Sequence, residues 1–412
     1  MKHWTLANGL QVYHLQDPDS SQVVLNLLYK VGARDESPTR TGFAHLFEHL
    51  MFAGSQHVPS FDQAIEGAGG QNNAFTNNEF TNYYILVPYE NAETAFWLES
   101  DRMRGLNINP KSLQTQQGVV IEEFKQRCFN APFGQLWHHL RRMLYSPKSP
   151  YSWPTIGLNF EHIETATLED VQAFYNRFYR PSNGILTLCG ALNEEEAHRW
   201  SEKWFGDIEN PSETLVEPRQ YPLPLAPLGQ PQEEEDLSTD PALFLVWPSP
   251  SHRSPDANAL DLLAEVLSGS EASPFVQQLV KKERLFSAAE AFCVKGLDEG
   301  FFVLYGILSD GVSFEQAQEA LLRVFSQTLQ ANQENALRAV QNRLLTQLLY
   351  ERISPAQQAQ KLAYYAAMGQ AARFENEHKE LDSVNWTDCQ EAASTYIKPP
   401  EARVLRYTPK TA

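Results

Sequence analysis

The sequence predicts an α+β protein made of two tandem homologous domains, each a mostly antiparallel sheet with helices packed on one face. Three observations predict it: the length, a proline-rich stretch at the midpoint, and a shared order of elements on either side. At roughly 100–200 residues per domain, 412 residues suit two or three domains with real cores. Residues 211–231 carry Pro211, Pro218, Pro222, Pro224, Pro227 and Pro231 and run into Glu233, Glu234, Glu235 and Asp236. Such composition reads as a linker. The expected division is 1–210, a Pro-rich acidic linker at 211–236, and 237–412.

Laid over each other at an offset of 215 residues, the halves begin alike. Apolar strands at 25–31 and 243–247 each lead through a polar loop into an apolar helix, HLFEHLMFAGS in the first half and LDLLAEVLSGS in the second. In the first half, LQVYHL and VVLNLLYKV are apolar and β-branched enough for strands. Helical spacing of apolar residues predicts helices at 42–52 and 61–66. NAFTNNEFTNYYILV reads as a hairpin turning at Asn77 and Asn78, a residue type that tolerates turn geometry. Helices follow at 91–105, 110–128, 133–144 and 168–178, then the strand GILTLCG. The second half offers a strand at 242–247, a helix at 257–267, strands at 288–294 and 301–308, helices from Phe314 onward, and a last strand.

Composition narrows the function. With 33 basic against 51 acidic residues the net charge is −18, which repels nucleic-acid backbones and anionic membranes and favours basic or neutral ligands such as basic peptides. Cys128, Cys189, Cys293 and Cys389 lie far apart with no CxxC pair, so they read as buried thiols. No run approaches 18 apolar residues, and MKHWTLANGLQVYHLQ lacks a signal-peptide core. The expectation is a cytoplasmic protein without a membrane span, or a periplasmic one if a leader has been removed. No GxGxxG, GxxxxGK[ST] or GxSxG pattern supports nucleotide binding or a serine hydrolase.

The sharpest chemistry lies in His45-Leu46-Phe47-Glu48-His49. Two imidazoles at i and i+4 face one way on a helix and can share one Zn2+. Zinc lowers the pKa of a bound water, and Glu48, one position before the second imidazole, can take its proton as it attacks a peptide carbonyl. The rest of the helix is apolar (Leu46, Phe47, Leu50, Met51, Phe52), where three ionisable groups are costly unless paired or bound to metal. A third ligand is needed, and Glu122 and Glu123 are both candidates. His57, His138, His139, His162, His198 and His252 read as surface or capped histidines.

These segments together resemble the inverzincin zinc metallopeptidases, the family of pitrilysin, insulinase and the mitochondrial processing peptidases, in their short two-domain bacterial type. GFAHLFEHLMFAGS resembles the family's signature helix, GGQNNAFTNNEFTNYY its strand pair and GVVIEEFKQR the helix carrying its distal glutamate. SPYSWPTIG, LEDVQAFYNRFYRPSNGILTLCG and the linker also sit where the family has them. The resemblance implies a clamshell half whose zinc ligands are His45, His49 and Glu123, with Glu48 as general base. It implies that Asn73 and Ala74 lie on the edge strand to which an extended peptide adds.

Two features depart from the family pattern. Seven residues before the distal ligand, where the family has an acid beside the metal site, stands Gln116, which can hydrogen-bond but cannot balance zinc's charge. In the second half the family often supplies an Arg and a Tyr seven residues apart for the substrate carbonyl and oxyanion; LVKKERLFS has Val280 and Ser287 there. In another register Lys281, Lys282 or Arg284 does that work. Leu260, Leu263 and Ala264 take the repeat positions of His45, Glu48 and His49, so the second domain carries no metal ligands. The expectation is the HxxEH-bearing catalytic subunit of a heterodimer, its sister subunit supplying Arg and Tyr, or else a homodimer. The alternative is a non-catalytic assembly subunit of the same fold.

Overall fold

The computed structural model describes residues 1–210 and 225–410; most of the expected linker, 211–224, lies outside them. The first half supplies β1 (Lys2–Thr5), β2 (Gln11–Gln16), β3 (Gln22–Tyr29), β4 (Gln71–Thr76), β5 (Thr81–Pro88) and β6 (Gly184–Gly190). Its helices are α1 (Phe43–Leu50), α2 (Phe61–Gly67), α3 (Ala92–Arg104), α4 (Pro110–Phe129), α5 (Leu136–Leu144), α6 (Glu161–Glu164), α7 (Leu168–Phe178) and α8 (Glu194–Phe205). The second half supplies β7 (Gln232–Asp236), β8 (Ala242–Ser249), β9 (Phe286–Val294), β10 (Gly300–Leu308) and β11 (Arg403–Pro409). Its helices are α9 (Pro255–Ser268), α10 (Phe314–Gln330), α11 (Glu334–Glu351), α12 (Pro355–Ala367), α13 (Arg373–Ser383) and α14 (Trp386–Tyr396).

The first sheet has the order β1-β2-β6-β3-β5-β4 and the second β7-β11-β8-β10-β9. In each, the first strand of the repeat pairs in parallel with the last, β2 with β6 and β7 with β11, and the other pairings are antiparallel. Both sheets therefore trace one topology, to which the first adds the hairpin strand β1. The acidic run 233–236, assigned to the linker from its charge, lies in β7, an edge strand where alternate side chains meet water. Its last residue turns inward: Asp236 Oδ1 accepts from the Phe133 and Ser238 amides at 2.9 and 2.8 Å.

Two units emerge from the packing, and the chain exchanges segments between them. The first comprises the described residues of 1–124, 153–219 and 349–375, the second those of 125–152, 220–348 and 376–412. In the first unit Leu25, Leu27, Tyr83, Ile85 and Leu188 face a core completed by α1, α3, α7 and α8. The opposite face of β3 and β6 is covered by α12, with Val24 and Cys189 against Ala359. This explains why VVLNLLY reads as continuously apolar rather than alternating: β3 is buried on both sides. Thr187 bonds the carbonyl of Ala359 at 2.9 Å, and Asn82 Nδ2 donates to Asn26 Oδ1 at 2.8 Å, so the polar residues of that seam are partly paired. In the second unit Leu243, Leu245, Trp247, Phe302 and Leu304 join α9, α10 and α14 on one face. The other face, with Phe244, Val246 and Tyr407, takes Leu140 and Leu144 of α5. Among the described residues no helix is long and apolar enough to cross a membrane.

Candidate metal centre

Helix α1 starts at Gly42, whose φ of +87° is open to glycine and strained for other residues. A Cβ there would lie 3.0 Å from the Ile156 carbonyl oxygen. The apolar side of α1 is fixed by Phe47, whose ring packs 5.0 Å from Phe174 and 5.1 Å from Tyr179, centroid to centroid. The Tyr83 hydroxyl, from β5, donates to the Phe47 carbonyl at 3.4 Å. With that side pinned, His45 and His49 project together, their rings edge to face at 4.9 Å.

Glu123 comes from α4. Val120 and Phe124 are buried and orient that helix, Glu122 is exposed, and Glu123 turns to the imidazoles. Its Oε2 lies 3.6 Å from His45 Nε2 and 3.4 Å from His49 Nε2. Of the two acids left open by residue type alone, Glu123 is the one beside the histidines. Among the described residues His45, His49 and Glu123 are the one group of three or more whose possible ligand atoms all lie within 4.8 Å of one another. Bonds of about 2.0–2.1 Å at tetrahedral angles put neighbouring ligand atoms about 3.3–3.4 Å apart around zinc. The imidazole–carboxylate separations of 3.6 and 3.4 Å are close to that spacing, and a set of two ring nitrogens and one carboxylate oxygen suits that ion. Glu48, half-buried, falls with His45 and His49 inside an arc of about 100° on the helix circumference. Burial of the Tyr83 and Tyr179 phenols, and to a smaller extent the Glu48 charge, push both upward.

Asn73 and Ala74 lie on β4, the edge strand of the sheet, opposite Tyr84 and Tyr83. Ala74 packs on the core, and the exposed Asn73 accepts the Ala74 amide on its own Oδ1 at 2.8 Å. Strand β4 packs against α1, so an open strand edge and the imidazole pair belong to one surface region of this unit. Gln116 sits half-buried on the Glu123 side of α4, two turns earlier. In the second unit Val280 packs on the core from a π-helical stretch, Phe275–Lys282, and Ser287 is exposed on β9.

Several residues around α1 carried no sequence signal of their own. After α1, Asp101 of α3 holds the chain by accepting from Ser55 Oγ at 2.5 Å, the His57 amide at 3.0 Å and His57 Nδ1 at 2.6 Å. Burial works upward on this carboxyl, but those hydrogen bonds keep it below the usual carboxylate range. Before α1, Glu36, Thr41, Trp153 and His162 form a second set of bonds. One signal could have found them: TGFAHLFEH puts Gly, not Ser, Thr, Asp or Asn, directly before the helix, so the first turn needs an acceptor from elsewhere.

The family model described as "Insulinase (Peptidase family M16)" matches residues 11–142, and that described as "Peptidase M16 inactive domain" matches residues 165–344. The zinc protease PqqE of Helicobacter pylori is 29% identical over 329 residues, 77% of this chain and 72% of that one. The mitochondrial-processing peptidase subunit beta of Caenorhabditis elegans is 26% identical over 220 residues, 53% of this chain and 47% of its own. Among solved structures, a protease from Helicobacter pylori shares the fold with a TM-score of 0.91 at 23% identity over 99% of each chain. The paired sheets, the HxxEH helix and these matches agree: the chain belongs to peptidase family M16, as a short two-domain member of the bacterial type.

Proposed function

We propose that the chain is a zinc-dependent endopeptidase acting on peptides or unfolded segments, with His45, His49 and Glu123 holding the metal and Glu48 as general base. The observation that carries this reading is the convergence of three ligand atoms from α1 and α4 with a carboxylate on the same arc of α1. Zinc held there would polarise a water and bring its pKa toward neutrality. Glu48 takes the proton as the water attacks a peptide carbonyl and passes it to the leaving amine. The open edge of β4 binds the peptide as an added strand, main-chain hydrogen bonds supplying affinity that tolerates varied sequence, with Asn73 and Ala74 at the contact. The net charge of −18 favours basic peptides.

The absence of an Arg or Tyr at positions 280 and 287 leads us to a heterodimer in which a sister chain of the same fold supplies those groups and closes a chamber over the site; a homodimer is the simpler arrangement. That one relative is named a subunit is in keeping with this. The second reading, a non-catalytic subunit, is favoured by the description of the 165–344 match as an inactive domain and by Gln116.

Hydrolysis of a quenched basic peptide decides, with wild type and Glu48→Gln each tested alone and with a sister chain, alongside zinc content. The expected result is one zinc per chain in both proteins and an activity loss of roughly 10²–10⁴-fold in the variant. A chain that binds no zinc is the non-catalytic subunit.

A further inference from the structure

Helix α1 has no side-chain cap of its own. In its place the carboxylate of Glu36, six residues before Gly42, reaches back across the loop. The Gly42 amide donates to Glu36 Oε2 at 2.9 Å and the Ala44 amide to Oε1 at 2.8 Å. One carboxyl group thus satisfies two N–H groups at the start of α1 through its two oxygens; burial pushes its pKa well above the usual carboxylate range, with the Ala44, Gly42 and Trp153 N–H groups pulling the other way, so its grip rests on these hydrogen bonds. The carboxylate is itself fixed: Trp153 Nε1 donates to Glu36 Oε2 at 3.1 Å and to the Ala33 carbonyl at 2.9 Å. The other side of the loop is tied by Thr41, whose amide donates to His162 Nδ1 at 3.2 Å, whose Oγ1 shares a hydrogen bond with the same Nδ1 at 2.8 Å, and whose Oγ1 accepts from the Leu158 amide at 2.8 Å. Glu36, Thr41 and Trp153 are all buried.

The repeat supplies the contrast. Helix α9, which takes the place of α1 in the second half and carries no metal ligands, is capped by the residue directly before it, Ser254, through the Asp256 amide. An ordinary serine cap therefore suffices to start this helix in the fold. The helix with two imidazoles instead uses a buried carboxylate held from three sides. Ala44, whose amide Glu36 grips, directly precedes His45.

We propose that Glu36 is a positioning residue for the metal centre: by gripping the Gly42 and Ala44 amides it sets the height and rotation of α1, and so the place of His45 and His49 against Glu123. This rests on the reading of those three residues as zinc ligands. Two of them share a rigid helix and the third belongs to another, so their triangle depends on how α1 is seated against α4. Partners of this kind, one step removed from the ligands, cost about 10–100-fold in metal affinity when removed.

The test uses the full chain, stripped of metal with a chelator and titrated with zinc against a chromophoric competitor, with the visible absorption of the cobalt form as a second readout and near-ultraviolet circular dichroism as the check on folding. Glu36→Gln keeps the shape but turns an NH2 group toward one of the two amides. It should bind zinc at least tenfold more weakly than wild type, with a shifted cobalt band and a native circular dichroism spectrum. A smaller loss, or an unshifted band, overturns the proposal and makes Glu36 a structural cap only. If Glu36→Gln does not fold, Trp153→Phe decides, since it removes one N–H from the carboxylate and leaves both helix amides in place; at least a threefold loss is expected, and less overturns the proposal. Wild type that binds no zinc overturns the metal-site reading itself and this inference with it, whereas wild type that binds and a variant that binds equally well overturns this inference alone.

Discussion

Glu123 Oε2 lies 3.4 Å from His49 Nε2, a carboxylate on one helix meeting an imidazole on another at the spacing of two ligands on one ion. Glu122, its neighbour in sequence, is exposed. Removing Glu123 should leave two imidazoles and an incomplete set. Metal analysis after dialysis should give about one zinc per chain for wild type and Glu122→Ala, and less than about a tenth of that for Glu123→Ala and His49→Ala. Equal zinc in Glu122→Ala and Glu123→Ala would exclude Glu123 as a ligand.

Gln116 offers the converse experiment. Gln116→Glu places a charge on the same side of α4 as Glu123, about 10 Å earlier along the helix. A unit charge acting on a divalent ion over that distance in a half-exposed site is worth of the order of 1 kcal/mol. Zinc affinity should rise two- to tenfold, read by competition titration, and the gain should shrink at 1 M salt.

Stability should respond to acid through His14, whose Nε2 lies 2.8 Å from the Leu192 carbonyl oxygen. Burial holds this imidazole below its ordinary value, with the Leu192 carbonyl and Glu194 pulling the other way. Between the depressed folded value and about 6.5 in the unfolded chain, the unfolded state binds more protons, so this group's contribution rises with pH and is lost as pH falls through that window. His14→Gln keeps a donor for Leu192 and cannot titrate. Urea midpoints at about pH 7.5 and 5.5 should show a larger acid-induced fall for wild type than for His14→Gln. Carboxyls elsewhere that titrate in the same range cancel in that difference.

Phe47 joins α1 to the aromatic cluster of α7, and Phe47→Ala would leave a hole between Phe174 and Tyr179. A loss of about 3–5 kcal/mol in chemical denaturation is expected. Gly42→Ala should cost less, about 1–2 kcal/mol, for forcing an L residue to a φ of +87°. A neutral Gly42→Ala would mean that the start of α1 relaxes.

What the sequence disclosed followed from how local each signal was. The HxxEH pair is written in five consecutive residues whose helical spacing alone sets two imidazoles side by side. The strands β3, β5, β6 and β8 announce themselves by apolar runs, and the duplicated order of elements gives the two-sheet plan. Glu36 was silent because its partners are backbone amides, which have no side-chain signature, and because its indole donor lies 117 residues away. The pair Glu99 and Arg102, fully buried with the guanidinium 4.3 Å from the Phe61 ring and 4.4 Å from that of Tyr83, reads in sequence as two solvated charges on a helix. Strand β7 was hidden by its charges: an edge strand buries little, so nothing apolar marks QEEED as extended chain.

The exchange of α5 and α12 bears on how the polypeptide is made. The last strand of the first sheet, β6, ends at Gly190, while the helix that covers its other face begins at Pro355. At a synthesis rate of about 5–20 residues per second, the ribosome delivers that cover roughly 10–30 s after the sheet itself is complete. Through that interval the nascent chain holds Val24 and Cys189 on a bare surface, alongside Asn26 and Thr187, whose hydroxyl has not yet met the Ala359 carbonyl. The polar seam keeps that surface wettable while it waits, and the second half of the gene is in effect the first half's own escort.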